Sequence, residues 1–270
     1  MNEKRYLRVN SEGEPCGDGE YIYFGEYPQS AKSENVEILE KINKARNYYL
    51  GSDGKHYALL NVNSSEDEDE GDCGCSNDES IIKGSECYFK VEPLKWRILN
   101  VTDSKALILS ERIIDNISYA YVGGNNNYKK SNVRVWLNKT FYKIAFNSSE
   151  KKLIKSTVVD NSSHSTGYEH NKYACANTTD KIFLLSYREI VDYDHVFKDY
   201  KSRRKLVTDY AIARDVWVSE TYKGNGSWWL RSPDQNMEGY VDLVSSGGYI
   251  YGWFAFEESG IAPALVISLE

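Results

Sequence analysis

Apolar positions recur along this chain at two different spacings, and the switches between them mark its elements. Residues 21–27 (YIYFGEY) read as a strand that Pro28 stops, since proline cannot donate to a central ladder. Between 36 and 49, Ile38, Leu39, Ile42, Ala45 and Tyr49 fall at helical spacing with Gly51 as a stop, which predicts an amphipathic helix. Residues 55–62 predict a strand. Three more over 86–91, 94–101 and 105–110 form a meander, the last two joined by the polar turn Thr102-Asp103-Ser104. Ser131 offers an N-cap to a helix whose Val133, Trp136, Leu137, Phe141, Ile144 and Ala145 make one apolar stripe. A short buried strand at 181–185 leads into Ser186 and Glu189, spaced as a capping box for the next helix, and 208–217 predicts another short one. The closing stretch alternates most regularly, with strands over 228–231, 240–245, 249–256 and 263–269, and Gly247-Gly248 suits a tight hairpin turn.

Within that hairpin the period of two sorts the side chains. With Val241, Leu243, Ile250 and Phe254 toward the core, Tyr240, Asp242, Tyr249, Tyr251 and Trp253 share the opposite face. A row of rings with one carboxylate suits a ligand or partner surface; the alternative is a loop or helix lying over it. The chain holds 22 tyrosines and six tryptophans, rings that serve half-buried strands and binding faces alike.

Segment 64–79 breaks the pattern with eight acidic residues and no aliphatic one, so it is expected to be an exposed insertion. Its Cys73 and Cys75 are candidate thiolate ligands for zinc, and its carboxylates for calcium. The Cys-x-Cys spacing is tighter than a zinc knuckle, however, and the acids lack the EF-hand alternation. No cofactor is otherwise implied. His164, His170 and Cys175 stand in a polar stretch that matches no recognised ligand arrangement. Elsewhere no linker divides the apolar pattern, and 41% hydrophobic content supports a core, so residues 1–270 read as a single domain.

A net charge of −7 argues against a nucleic-acid partner, and Lys201, Arg203, Arg204 and Lys205, flanked by Asp199 and Asp209, read as a solvated face. The N-terminal segment lacks the apolar core of a signal peptide, and no run approaches membrane-spanning length. With five cysteines, an odd number, the expectation is a soluble cytoplasmic protein with free thiols and no membrane partner.

No catalytic set is complete. Ser232 precedes a proline without a Gly-x-Ser-x-Gly turn, and the last histidine is His195. Arg231 has two readings, a brace paired with a buried carboxylate or a group facing a ligand anion, and it joins the candidate ligand-binding set.

Seven blocks stand in order: 24–29 (FGEYPQ), 96–99 (WRIL), 105–110 (KALILS), 133–138 (VRVWLN), 180–186 (DKIFLLS), 229–233 (WLRSP) and 263–265 (PAL). In that order they resemble a bacterial domain family of unknown function, spread through Firmicutes and their phages. The resemblance implies an α+β fold of C-type-lectin-like or formylglycine-generating-enzyme-like type, with twisted antiparallel sheets and a few flanking helices. It implies no activity. Ala262 stands where an arginine commonly precedes Pro-Ala-Leu, and the copper-binding cysteine pair of the formylglycine-generating oxygenases has no counterpart after Cys175. The expectation is therefore a non-catalytic domain binding a protein or glycan through the aromatic hairpin face. The alternatives are an enzyme related to those oxygenases, a carboxylate-based hydrolase, or a structural phage or surface assembly module.

Overall fold

The computed structural model describes residues 8–9, 19–44, 46–62, 73–74, 80–82, 84–102, 104–121 and 125–269. The chain opens with strands β1 (Tyr21–Ala31), β2 (Ile38–Asn43), β3 (Tyr48–Gly51) and β4 (His56–Asn61), then a 17-residue strand β5 (Glu86–Thr102) and β6 (Lys105–Ser110). Strand β7 (Asp115–Ser118) leads into a helical stretch in which α1 (Asn132–Trp136) passes through a π-type turn (Leu137–Phe141) into α2 (Tyr142–Ala145). Helix α3 (Ser148–Leu153), strand β8 (Ile182–Phe183), α4 (Tyr187–Asp192) and α5 (Asp209–Ala213) follow. The closing strands are β9 (Trp228–Pro233), β10 (Tyr240–Val244), β11 (Ile250–Phe254), β12 (Glu258–Ile261) and β13 (Ala264–Ser268).

These strands build two main sheets. The larger has the order β8-β13-β6-β5-β4-β3-β2, with β1 also paired to β5 and Arg8–Val9 to β1. β5 is its hub: Tyr57↔Lys90 and its neighbours join β4 to one end, and Trp96↔Ser110 and its neighbours join β6 to the other. The smaller sheet has the order β7-β12-β9-β10-β11, so the hairpin strand β11 forms an open edge. The pairing is antiparallel throughout the main sheets except between β9 and β12. Antiparallel sheets with a few short helices make this an α+β architecture.

One apolar cluster joins both sheets. Trp96 is fully buried, and its indole N–H donates to the Phe24 carbonyl at 2.6 Å. From the helical stretch Val133, Leu137, Phe141 and Ala145 turn inward as the stripe required, with Trp136 and Ile144 half-buried. Ser131 accepts from the Arg134 N–H at 3.2 Å, the N-cap its position implied.

The sequence pattern misleads at two places here. Ile38–Asn43 and Tyr48–Gly51 pair as the β2–β3 hairpin rather than forming a helix; Asn47 has φ 55°, Tyr48 is buried against β4, and Leu39 and Ile42 face solvent. β1 runs past Pro28 to Ala31, and β5 runs through Pro93. Register shifts between Tyr23 and Glu26 and between Pro28 and Ala31 absorb the missing donors at bulges, the first holding Gly25 at φ 71°.

Candidate functional site

The β10–β11 hairpin closes through a turn in which the Gly248 N–H donates to the Ser245 carbonyl at 2.8 Å. Gly248 has φ 90°, and a Cβ there would run into the Tyr200 carbonyl, so only glycine fits. Around this turn the Tyr249 ring stacks on Tyr200 at 5.1 Å and 10°. Arg204 donates from Nε to the Gly247 carbonyl at 3.1 Å and lies 4.4 Å from the centre of the Tyr222 ring.

The basic run at 201–205 is therefore not a uniformly solvated face. Arg204 clamps the hairpin turn, and Lys205 is buried, its Nζ donating to the Ser110 carbonyl at 2.5 Å. Burial drives the Lys205 pKa down to about 8 against the smaller opposing pull of the Glu111 carboxylate, and the ammonium also lies 5.4 Å from the centre of the Trp228 ring.

Register corrects the expected division of faces. Val241 pairs with Trp253 and Leu243 with Tyr251, while Asp242 pairs with Gly252 and Tyr240 with Phe254. Directly opposed residues share a face, so Tyr249, Tyr251 and Trp253 lie on the face of Val241 and Leu243. Tyr240 and Asp242 lie on the other, with Ile250, Gly252 and Phe254. The period of two holds along each strand, but the five-residue excursion around the turn fixes their relative phase, and the sequence reading took it one residue out.

On the first face Val241 and Leu243 are buried under the core, whereas the rings one strand further out emerge from it. Tyr249 is 54%, Tyr251 45% and Trp253 42% exposed, and Phe254 and Phe256 also reach solvent. Tyr251 and Trp253 meet edge to face at 6.3 Å, and Phe254 packs on Tyr240 at 4.3 Å and Phe256 at 5.3 Å. β11 carries no charged residue and no proline.

The second face holds two carboxylates. Asp242 is 6% exposed, and no described donor reaches it. Asp234, in the turn between β9 and β10, accepts from the Asn236 and Met237 N–H groups at 2.7 and 2.9 Å through Oδ1. Its Oδ2 rests over Gly252, 2.6 Å from where a Cβ would be, so the missing side chain makes its berth. Burial first, and the Asp234 charge second, push the Asp242 carboxyl up to about 7. Tyr168, stacked on Tyr187 at 6.3 Å, is raised by burial and then by Asp242. Asp234, Tyr168 and Gly252 escaped the sequence reading. A glycine inside an otherwise aromatic strand was the available signal, because it marks close approach by another group.

Arg231 sits elsewhere, 2% exposed in the wholly buried strand β9. It donates from Nη1 to the Leu184 carbonyl at 2.7 Å and to Glu189 at 2.5 Å, and from Nη2 to the Asp160 carbonyl at 3.1 Å. Glu189 also closes the capping box of α4 by accepting from the Ser186 N–H at 2.8 Å, so one carboxylate ties the helix start to the sheet. This is the bracing geometry, and it separates Arg231 from the hairpin residues with which it was grouped.

Cys75 and nearly all of 64–79 lie outside the described residues. Cys73–Gly74 is a short strand paired with Ser80–Ile81. His164 and His170 are exposed and Cys175 is half-buried; no group of three His, Cys, Asp or Glu side chains suited to a metal occurs among the described residues. No described helix is long and apolar enough to cross a membrane.

No curated protein and no solved structure matches the chain. The profile of one family, described as Domain of unknown function (DUF6273), matches residues 103–269, which include both strands of the hairpin, the carboxylate pair and the Arg231 brace. Since that match spans well over half of the 270 residues, the chain belongs to this domain family of unknown function.

Proposed function

We propose that the domain is a non-catalytic binding module that holds a partner protein along the β11 edge. One observation carries the reading: an open sheet edge, Ile250–Phe254, has neither charge nor proline and stands among rings exposed by about half. Natural edges are usually blunted by lysine, proline or a covering loop, because their unpaired backbone groups recruit other strands. An edge left open and lined with Tyr and Trp suits an extended segment of a partner, with backbone pairing for affinity and rings as hot spots. The scaffold that presents it is, in this proposal, C-type-lectin-like, supported by the antiparallel sheets, the short flanking helices and the ordered sequence blocks.

A glycan is less well served than the sequence suggested. A sugar stacked on Trp253 does not meet Asp242 on the same face, so the pairing of ring and acceptor is lost. The test compares the wild type with a Tyr249→Ala/Tyr251→Ala/Trp253→Ala variant on displayed extended peptides and on a glycan array. Peptide binding lost in the variant, with an unchanged melting profile, supports the proposal. Equal binding by both proteins removes it, and binding confined to glycans replaces it.

A further inference from the structure

Six charged side chains are buried among the described residues, and five of them have partners. Asp115 accepts from Tyr27 and pairs with Arg214, Asp180 pairs with Arg134, Asp209 accepts from the Ala31 N–H, Lys205 donates to Ser110, and Arg231 is braced by Glu189. Asp242 alone has none. The charged and titratable groups that act on it or feel it are Asp234 from the β9–β10 turn, Tyr168 from the segment between α3 and β8, and Tyr119 from the segment after β7; none is a cation. Residues directly opposed across two strands hold their Cβ atoms roughly 5 Å apart, so Asp234, lying over Gly252, is the immediate neighbour of Asp242 on that face.

A carboxylate taken out of water beside another carboxylate, without a donor, is costly unless something else supplies the positive charge. Only 6% of Asp242 is exposed, so a group that reaches it has to be small. A guanidinium fork needs more width than an ammonium, which is a compact charge on a thin stem. Tyr168, 37% exposed and stacked on Tyr187, adds an aromatic surface of the kind that attracts such a cation.

We propose that the slot between Asp242, Asp234 and Tyr168 binds a primary ammonium on an unbranched alkyl stem, presented as the lysine side chain of a protein ligand. The slot lies on the face opposite Tyr251 and Trp253 and does not rest on those rings being a docking surface. An entering ammonium displaces the proton that Asp242 otherwise retains, so binding strengthens as the pH rises through neutrality.

The test titrates the whole protein, followed by amide and carboxyl NMR shifts, with Nα-acetyl-lysine amide, its neutral isostere Nα-acetyl-norleucine amide, and n-butylammonium. The lysine derivative is expected to move the Asp234, Asp242 and Tyr168 signals in a saturable way and norleucine is not. Asp242→Asn should weaken lysine binding about tenfold or more. Tyr251→Ala/Trp253→Ala should leave lysine binding unchanged, which separates failure of the slot from failure of the ring surface. Butylammonium, the lysine side chain alone, should bind comparably, which supports recognition of the ammonium and its unbranched stem. Equal responses to lysine and norleucine, or a response that survives Asp242→Asn, overturn the proposal. Asp234→Asn, which keeps the turn acceptor Oδ1, provides a second reading should the first variant misfold.

Discussion

Replacing Asp242 by asparagine tests the central feature of the second face without any ligand. Unfolded, the carboxyl ionises near its ordinary value of 3.8, and folded it does so near about 7. Between these values the folded chain holds a proton that the unfolded chain has released, so its stability falls as pH rises through the window. The loss is complete above the folded value. At roughly 1.4 kcal/mol for each tenfold change in acidity, the full penalty is about 4 kcal/mol, of which about 2–3 kcal/mol develops between about pH 5 and about pH 8. Asparagine has nearly the same shape and no titration. The variant should therefore gain on the wild type by that amount over the same interval, while all other titrating groups cancel in the difference. Urea unfolding of both proteins at the two pH values measures it. A gap that changes by less than about 1 kcal/mol would mean that Asp242 is solvated or partnered, and the argument for a ligand slot would fall with it.

Two further perturbations address the scaffold. Arg231→Lys keeps the charge but loses the fork that reaches Leu184, Asp160 and Glu189 together, and should cost about 2–3 kcal/mol with a less cooperative melt; a loss below about 0.5 kcal/mol would refute the brace. Gly248→Ala drives a methyl into the Tyr200 carbonyl at φ 90°, and should cost about 2–4 kcal/mol and unstack Tyr249 from Tyr200, read as a near-ultraviolet dichroism change. An unchanged midpoint would show that the turn adapts.

Much of the architecture was legible because local chemistry and tertiary packing agree. Ser131 and Ser186 cap helices where their spacing placed them, and Gly247-Gly248 turns the hairpin. The failures have physical causes. Residues 38–49 carry apolar groups at a spacing that a helix and a half-exposed hairpin both satisfy, and pairing with β4 through Tyr48 and Tyr49 decides for strands. The hairpin rings were found, but the phase between the strands depends on how many residues the turn consumes, which composition does not encode. Asp234 comes to lie over Gly252, the residue paired with Asp242, only because a turn between two strands folds back there, a contact with no periodicity to betray it.

The family segment at 103–269 begins inside a sheet rather than at its border. Its first strand, β6, pairs along its whole length with β5, which ends at Thr102, and β5 in turn carries β1. Ile22, Phe24, Tyr27, Leu94, Trp96 and Leu99 come from those two strands and sit in the same cluster as Phe141, Phe146 and Trp228. At about 1.5–3 kcal/mol for each large buried apolar side chain, their removal takes away about 10 kcal/mol or more, comparable to the whole stability of an ordinary domain. A protein cut to 103–269 should therefore lack a cooperative melt and bind a hydrophobic dye, while the full chain does neither. If the shorter protein melts sharply, β1 and β5 are an accessory layer. The carboxylate slot and the ring edge would then belong to a unit that folds without them.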